Sequence, residues 1–257
     1  MDEKTLKNLA QSLSADTEAL PYMPYLLQDL WLLGSSPSQM IRLICGHAAV
    51  TAETRVLDLA CGKGPAAVSF AKKFGCKVLG IDITPEFISI AKAKGVEYGV
   101  SELCEFRVDN VVEAAESLKD YDLVIWGAAG CVWGDYPKTL RALCGVIKQG
   151  GFVLMDDGYI KSRDSRLKYD YAYPTFDEWQ DLIRSAGLSY VGHSAHRGEE
   201  IDYDAETAYI KKRAEELKIK YPQKAGIFEA YVNNQIAESD DLSGDELVGV
   251  VWLLKKA

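Results

Sequence analysis

Val56-Leu57-Asp58-Leu59-Ala60-Cys61-Gly62-Lys63-Gly64, followed at once by Pro65, decides how this chain folds. The strand-like run Arg55–Leu59 feeds into a turn of small residues, Ala60–Gly64, and helix-compatible residues follow from Pro65 to Phe74. Proline just after the turn fits a first helical position, where its missing N–H costs nothing. A glycine-rich turn between strand and helix lets a ligand approach the backbone and meet helix N–H groups. Gly62, Gly64 and Ala67 also satisfy a loose G-x-G-x-x-A dinucleotide pattern, which alone is weak because a tight βα turn can bind nothing.

Working outward, strand and helix alternate. Lys77–Asp82 reads as a strand and Pro85–Lys94 as a helix. Cys104–Asp109 is a strand, Val111–Leu118 a short acidic helix and Tyr121–Trp126 a buried strand. Pro137–Ile147 reads as a helix closed by Gly150-Gly151, Phe152–Met155 as a strand and Phe176–Ala186 as a helix capped by Gly187. Leu188–Val191 and Leu247–Leu254 complete seven strands. Such alternation implies parallel pairing through right-handed crossovers. The expected fold is α/β: a doubly wound, seven-stranded, Rossmann-like sheet with N-terminal helices and a helical insertion before the last strand. In residues 1–50, Leu6, Leu9 and Leu13 share one helical face, and Met40, Ile41, Ile44 and Cys45 another. In residues 195–245, Ile210, Ala214, Leu217 and Tyr221 recur at helical spacing among charged neighbours. That pattern suits a one-sided surface helix, or a lid over a pocket.

Length and charge narrow the function. A chain of 257 residues, 48% hydrophobic and 26% charged, can bury a full core. No apolar run reaches the roughly 18 residues needed to span a bilayer. The opening Met1-Asp2-Glu3-Lys4 does not read as a secretory signal. The formal net charge of −9 repels phosphate backbones and anionic lipid, so neither nucleic acid nor membrane is expected as a partner. None of the six cysteines forms a C-x-x-C pair, which argues against structural zinc. Free thiols fit a reducing, cytoplasmic location.

Two acidic residues join the glycine turn. Asp82 ends the second strand, 18 residues after Gly64. There it can accept from both hydroxyls of a ribose, or cap the helix that Thr84 and Pro85 open. Asp109, before Asn110, ends the third strand and can accept from an exocyclic amine. Convergence of three features at successive strand ends points to one ligand-binding rim.

With Gly80-Ile81-Asp82-Ile83, Arg107-Val108-Asp109, Tyr121-Asp122-Leu123-Val124 and Gly150-Gly151-Phe152-Val153-Leu154, the chain resembles the class I S-adenosylmethionine-dependent methyltransferases, and among them the small-molecule branch. The resemblance implies that Asp58 orients the glycine loop and helps hold the amino group of the methionine moiety. It implies that Ala60, Gly62 and Gly64 line the carboxylate and ribose through their backbone. Asp82 would take the ribose hydroxyls and Ile83 would pack on the adenine. Asp109 and the Asn110 amide would read the adenine edge, and backbone near Trp126 would close the methionine side. The first turn glycine of the family is Ala60 here. The Asn/Asp-Pro-Pro-Tyr box of nitrogen methyltransferases acting on nucleobases is replaced by Gly127-Ala128-Ala129-Gly130.

On this reading residues 1–257 form one methyltransferase domain. It comprises a helical cap (1–50), a cofactor-binding core (51–194), a helical insertion (195–245) and a last strand (246–257). The implied reaction is in-line methyl transfer to a small-molecule acceptor. A metal is not expected, because Asp156-Asp157 after the fifth strand lack a carboxylate partner after the fourth. They read instead as a solvated strand end or as contacts to substrate. His193 and His196, read as lying past the sixth strand, with Asp157, Tyr159 and Tyr136 are candidates for a base, none of them decided. Trp126, Trp133, Tyr22, Tyr25 and Trp31 could line an aromatic pocket, although packing suits most of them better. A nicotinamide-dependent oxidoreductase and a non-catalytic cofactor-binding protein are the alternatives. Acceptor and oligomeric state are not legible.

Overall fold

A computed structural model describes residues 3–196 and 202–257. Ahead of the sheet come α1 (Glu3–Ser12), a 3-10 turn (Thr17–Tyr22), α2 (Met23–Leu26) and α3 (Pro37–Cys45). The alternating core follows as β1 (Arg55–Leu59), α4 (Pro65–Phe74), β2 (Lys77–Asp82), α5 (Pro85–Glu97), β3 (Cys104–Val108), α6 (Val111–Ser117) and β4 (Tyr121–Gly127). Next come α7 (Tyr136–Val146), β5 (Ile147–Ile160), α8 (Phe176–Ser185) and β6 (Leu188–Ala195). The chain closes with α9 (Tyr203–Lys220), α10 (Ala225–Ser243) and β7 (Leu247–Lys256).

The seven strands form one sheet in the order β3-β2-β1-β4-β5-β7-β6. β1 pairs in parallel with β2 on one side and β4 on the other, so the winding reverses between β1 and β4. In open α/β sheets that reversal opens a crevice at the carboxyl ends of the strands. β7 runs antiparallel to both β5 and β6. The elements expected from sequence are present, with one consequential difference. β5 continues past Met155 because β7 pairs with it from Phe152↔Lys255 to Ile160↔Leu247. Asp156 and Asp157 therefore sit inside a strand rather than past its end, and Asp156 is buried. The solvated strand end expected there is corrected by this long-range pairing.

The stripe Ile210, Ala214 and Leu217 is buried, at 3%, 0% and 4% exposure, in a cluster with Met23, Leu26 and Phe228. The insertion thus packs one side of α9 on the N-terminal helices and leaves Lys211, Lys212 and Glu215 exposed on the other, as expected of a one-sided surface helix. Arg213 adds a paired guanidinium contact to Asp29, at 2.6 and 2.8 Å. No helix of the described residues is long and apolar enough to cross a membrane.

Lys63, in the middle of the glycine turn, fastens this cap to the sheet. Its side chain is buried and its Nζ donates to the carbonyls of Leu27 and Leu30. Burial pulls its pKa down to about 8, an effect that Asp29 partly offsets. Lys63→Met would leave two carbonyl oxygens without a donor, at a cost of about 2–4 kcal/mol. Thermal unfolding is expected to begin roughly 4–16 °C lower, at about 2–4 °C per kcal/mol for a chain of this size. An unchanged melting temperature would show that Lys63 does not hold the cap.

Candidate functional site

At the end of β1 the backbone turns left-handed three times, at Ala60 (φ 55°), Gly62 (φ 53°) and Gly64 (φ 77°). Alanine pays roughly 1–2 kcal/mol for that conformation. Such strain often lies where a ligand is met. The turn is pinned by the carboxylates on either side of it. Asp58 Oδ2 accepts from the N–H of Ala67 in α4 at 3.1 Å. Asp82 Oδ2 accepts from the N–H of Gly62 at 2.9 Å, and its Oδ1 from that of Thr84 at 2.8 Å. Asp82 therefore does both things its position allows: it shapes the start of α5 and keeps lone pairs facing the crevice.

Asp58 and Asp82 are 2% and 8% exposed. Burial pushes Asp58 up to about 7, against the Ala67 N–H and with the help of the neighbouring Asp82. Burial also raises Asp82, although the Thr84 and Gly62 N–H groups resist. Two buried carboxyls with no cation acting on them among the described residues favour a ligand that brings positive charge.

Around them lies a first cavity lined by Asp58, Ala60, Gly62, Asp82, Ile83 and Asn110, with Leu33 and Ala128 opposite. Six of the nine expected cofactor positions thus share one wall. The remaining three stand just behind it. Gly64 caps α4, and Asp109 Oδ1 accepts from the Asn110 N–H at 2.8 Å. Trp126 is fully buried, its Nε1 donating to the Gly130 carbonyl at 3.1 Å, and Gly127 and Ala128 form the wall in its place.

A second cavity opens beside the first, and the two share Ser12, Leu13, Leu33 and Ala128. Asp156, Asp157 and His196 form its floor; α9 and α10 supply Tyr203, Glu206, Tyr231 and Glu238; and Tyr169, Tyr171 and Tyr173 line it from the loop after β5. Asp241 holds that loop by accepting from the N–H groups of Lys168 and Tyr169, at 2.9 and 2.8 Å. His196 Nε2 lies 3.0 Å from Asp156 Oδ1, and its Nδ1 lies 3.2 Å from the Tyr203 hydroxyl. Its pKa is raised by Asp156 in spite of burial, which acts the other way.

The five base candidates separate. His196 and Asp157 line the second cavity. Tyr136 reaches it through its hydroxyl, which donates to Asp157 at 3.0 Å. His193 and Tyr159 pack against Phe176 and Trp252, away from it. His193 lies within β6, not past it, because pairing with β7 carries that strand to Ala195. The aromatic candidates resolve as packing: Trp133 on Trp126, Trp31 on Tyr98, Tyr22 on Phe228, and Tyr25 bonded to Glu216 at 2.6 Å. Tyr169, Tyr171 and Tyr173 alternate with Asp170 and Ala172, a period of two that reads as a strand but lies in a loop here, and nothing in the sequence marks Glu206 or Glu238 apart from other charges on helices.

Residues 56–151 match the family model described as a methyltransferase domain. That span runs from β1 into β5 and includes the whole first-cavity rim from Asp58 to Ala128. Residues 56–151 thus carry a methyltransferase domain. Among solved structures, this domain and its flanking helices are similar to an S-adenosylmethionine-dependent methyltransferase from Thiobacillus denitrificans in complex with S-adenosyl-L-homocysteine. The TM-score is 0.71 at 19% identity, covering 91% of this chain and 97% of that one. At that identity the likeness establishes the fold.

A ubiquinone biosynthesis O-methyltransferase from Xanthomonas axonopodis pv. citri is 34% identical over 101 residues, 39% of this chain and 41% of the relative. A ubiquinone/menaquinone biosynthesis C-methyltransferase from Rickettsia rickettsii is 26% identical over 176 residues, 54% of this chain and 70% of the relative. The chain thus spans about two fifths of the first of these and about two thirds of the second.

Proposed function

We propose that this protein transfers a methyl group from S-adenosylmethionine, held in the first cavity, to a small molecule held in the second. The observation that carries this reading is the shared lining at Ser12, Leu13, Leu33 and Ala128, which sets the two cavities side by side. When bound, the sulfonium supplies an already activated methyl group. The chain then has mainly to align the acceptor and exclude water.

In this reading Asp58 faces the cofactor's ammonium, Asp82 its ribose hydroxyls, and Ile83 its adenine face. Asp109 and the Asn110 amide address the adenine edge. Backbone at Ala60, Gly62 and Gly64, and past Trp126, surrounds the remainder. The cradle suits such a ligand, because among the described residues its two buried carboxyls lack a cation and its backbone is left-handed at Gly62, where a Cβ would meet Leu33 at 3.1 Å. Of the helical cap (1–50) and the insertion (195–245), the described helices α1 to α3, α9 and α10 act with the core as one unit, roofing the acceptor. Six free cysteines suit a cytoplasmic location.

Calorimetric titration tests the reading. S-adenosylhomocysteine is expected to bind with micromolar affinity and NADH without measurable heat; the reverse would make this an oxidoreductase-type site. The pH dependence has a definite sign. Asp58 carries a proton below about pH 7 that a cationic ligand must displace, and Asp82 and the Cys61 thiol are its titratable neighbours. Affinity is therefore expected to be flat above pH 7 and to fall below it, by up to about tenfold per unit for each proton released. The apoprotein shows the opposite trend. Its raised carboxyls cost most stability above pH 7, and that cost fades as pH falls toward their unfolded value.

A further inference from the structure

The second cavity has a charge pattern that its tyrosines alone would not suggest. Among the described residues no lysine or arginine lines it, whereas Asp156, Asp157, Glu206 and Glu238 all do. Asp156 is matched by His196. Asp157 accepts from Tyr136 and from the Gly158 N–H, and Glu238 accepts from the Ser14 hydroxyl at 2.9 Å, all neutral donors. Glu206 has no side-chain hydrogen bond among the described residues. A second feature is independent of the acids. Tyr231 is 3% exposed, lines the same cavity, and its hydroxyl has no partner among the described residues. Tyr231 lines that cavity together with Glu206 and Glu238, whose fields both raise the pKa of its phenol.

Aromatic faces complete the enclosure. Tyr169 and Tyr171 lie with rings near parallel, centroids 6.3 Å apart, and Tyr173 follows at 4.6 Å from Tyr171. Tyrosine faces attract organic cations, and more strongly where water is displaced. Buried carboxylates without a cation are costly. Burial accordingly holds Asp157 and Glu206 up at about 7 and raises Glu238 as well. A neutral or anionic occupant would leave that cost in place.

We propose that the acceptor enters this cavity as an organic cation, a small molecule bearing a protonated amine, bound by Glu206 and Glu238 and faced by the tyrosine rings. Asp157 extends the acidic floor beneath it. The Tyr231 hydroxyl is free to accept from the same ammonium. This rests on the second cavity being the acceptor site of the methyltransferase reading.

Three probes of one skeleton isolate charge: tyramine, tyrosol and 4-hydroxyphenylacetate, which carry an ammonium, a hydroxyl and a carboxylate on the same phenol. Each is titrated calorimetrically at about pH 8 into the full chain, with and without S-adenosylhomocysteine. Tyramine is expected to bind at least about tenfold tighter than tyrosol, and 4-hydroxyphenylacetate weakest. The double variant Glu206→Gln/Glu238→Gln is expected to bring tyramine and tyrosol within about twofold of each other. It should leave S-adenosylhomocysteine affinity unchanged, which also reports that the variant is folded. Equal or tighter binding of tyrosol or of the acid overturns the proposal, as does no binding of any probe at about 10 mM. If S-adenosylhomocysteine fails to bind while tyramine keeps its advantage, the methyltransferase reading falls and the cation site stands.

Discussion

Asp82→Ala is expected to weaken S-adenosylhomocysteine binding by about two orders of magnitude. The carboxylate is 8% exposed, and its oxygens already accept from Gly62 at 2.9 Å and Thr84 at 2.8 Å. Those bonds use one lone pair on each oxygen and leave the others for two ribose hydroxyls. Two hydrogen bonds to a charged acceptor are worth about 3 kcal/mol together, which is roughly 150-fold in affinity. Alanine also frees the Gly62 N–H, so the turn loses an anchor where its φ is 53°. Asp82→Asn keeps the volume and one acceptor, and should fall between alanine and the parent. Calorimetry on variants whose circular dichroism matches the parent checks this. An affinity within threefold of the parent would mean that the ribose is held elsewhere and that the rim has been misread.

Gly64→Val should damage the fold itself. Gly64 caps α4 at φ 77°, a conformation in which a β-branched side chain is strained by about 1–3 kcal/mol. A Cβ there would stand 2.9 Å from both Ala91 Cβ and Phe106 Cε1. Ala91 and Phe106 are buried between α5 and β3, so neither can swing aside into solvent. Overpacking of this kind adds about 1–3 kcal/mol. The sum, about 2–6 kcal/mol, is a large part of the 5–15 kcal/mol that typically holds a domain together. Thermal unfolding should shift down by roughly 4–24 °C. A shift below about 2 °C would show that the α4–α5 contact yields easily.

Gly64 lies in the stretch where the sequence is most readable, and Asp82 ends the strand that follows it. A strand, a small-residue turn and a proline-opened helix are specified by neighbours within ten positions, and α4 begins and ends where that pattern places it, at Pro65 and Phe74. Six of the nine rim residues expected from sequence line the first cavity because each sits at the end of a strand or in the turn after one. The other three miss it by one position along the backbone. Trp126 shows why: in a strand successive side chains point to opposite faces, and its indole turns into the core.

The second cavity was not readable in the same way. Its floor depends on β5 continuing through Asp156 and Asp157 to Ile160, and that extension comes from pairing with β7, some ninety residues later in the chain. The tyrosines at 169, 171 and 173 belong to a loop whose shape comes from Asp241 on α10. Glu206 and Glu238 stand among other charges on two helices, and composition cannot distinguish a carboxyl turned into a cavity from one turned to water.

The sequence by itself determined the alternating sheet, the glycine turn and the carboxylates of one rim, because those depend on local backbone preferences and on hydrophobic period. Only the tertiary structure decided which acids lost their water, which tyrosines gathered, and that the two cavities share a wall. Burial and enclosure are properties of distant segments brought together, and no window of neighbouring residues contains them.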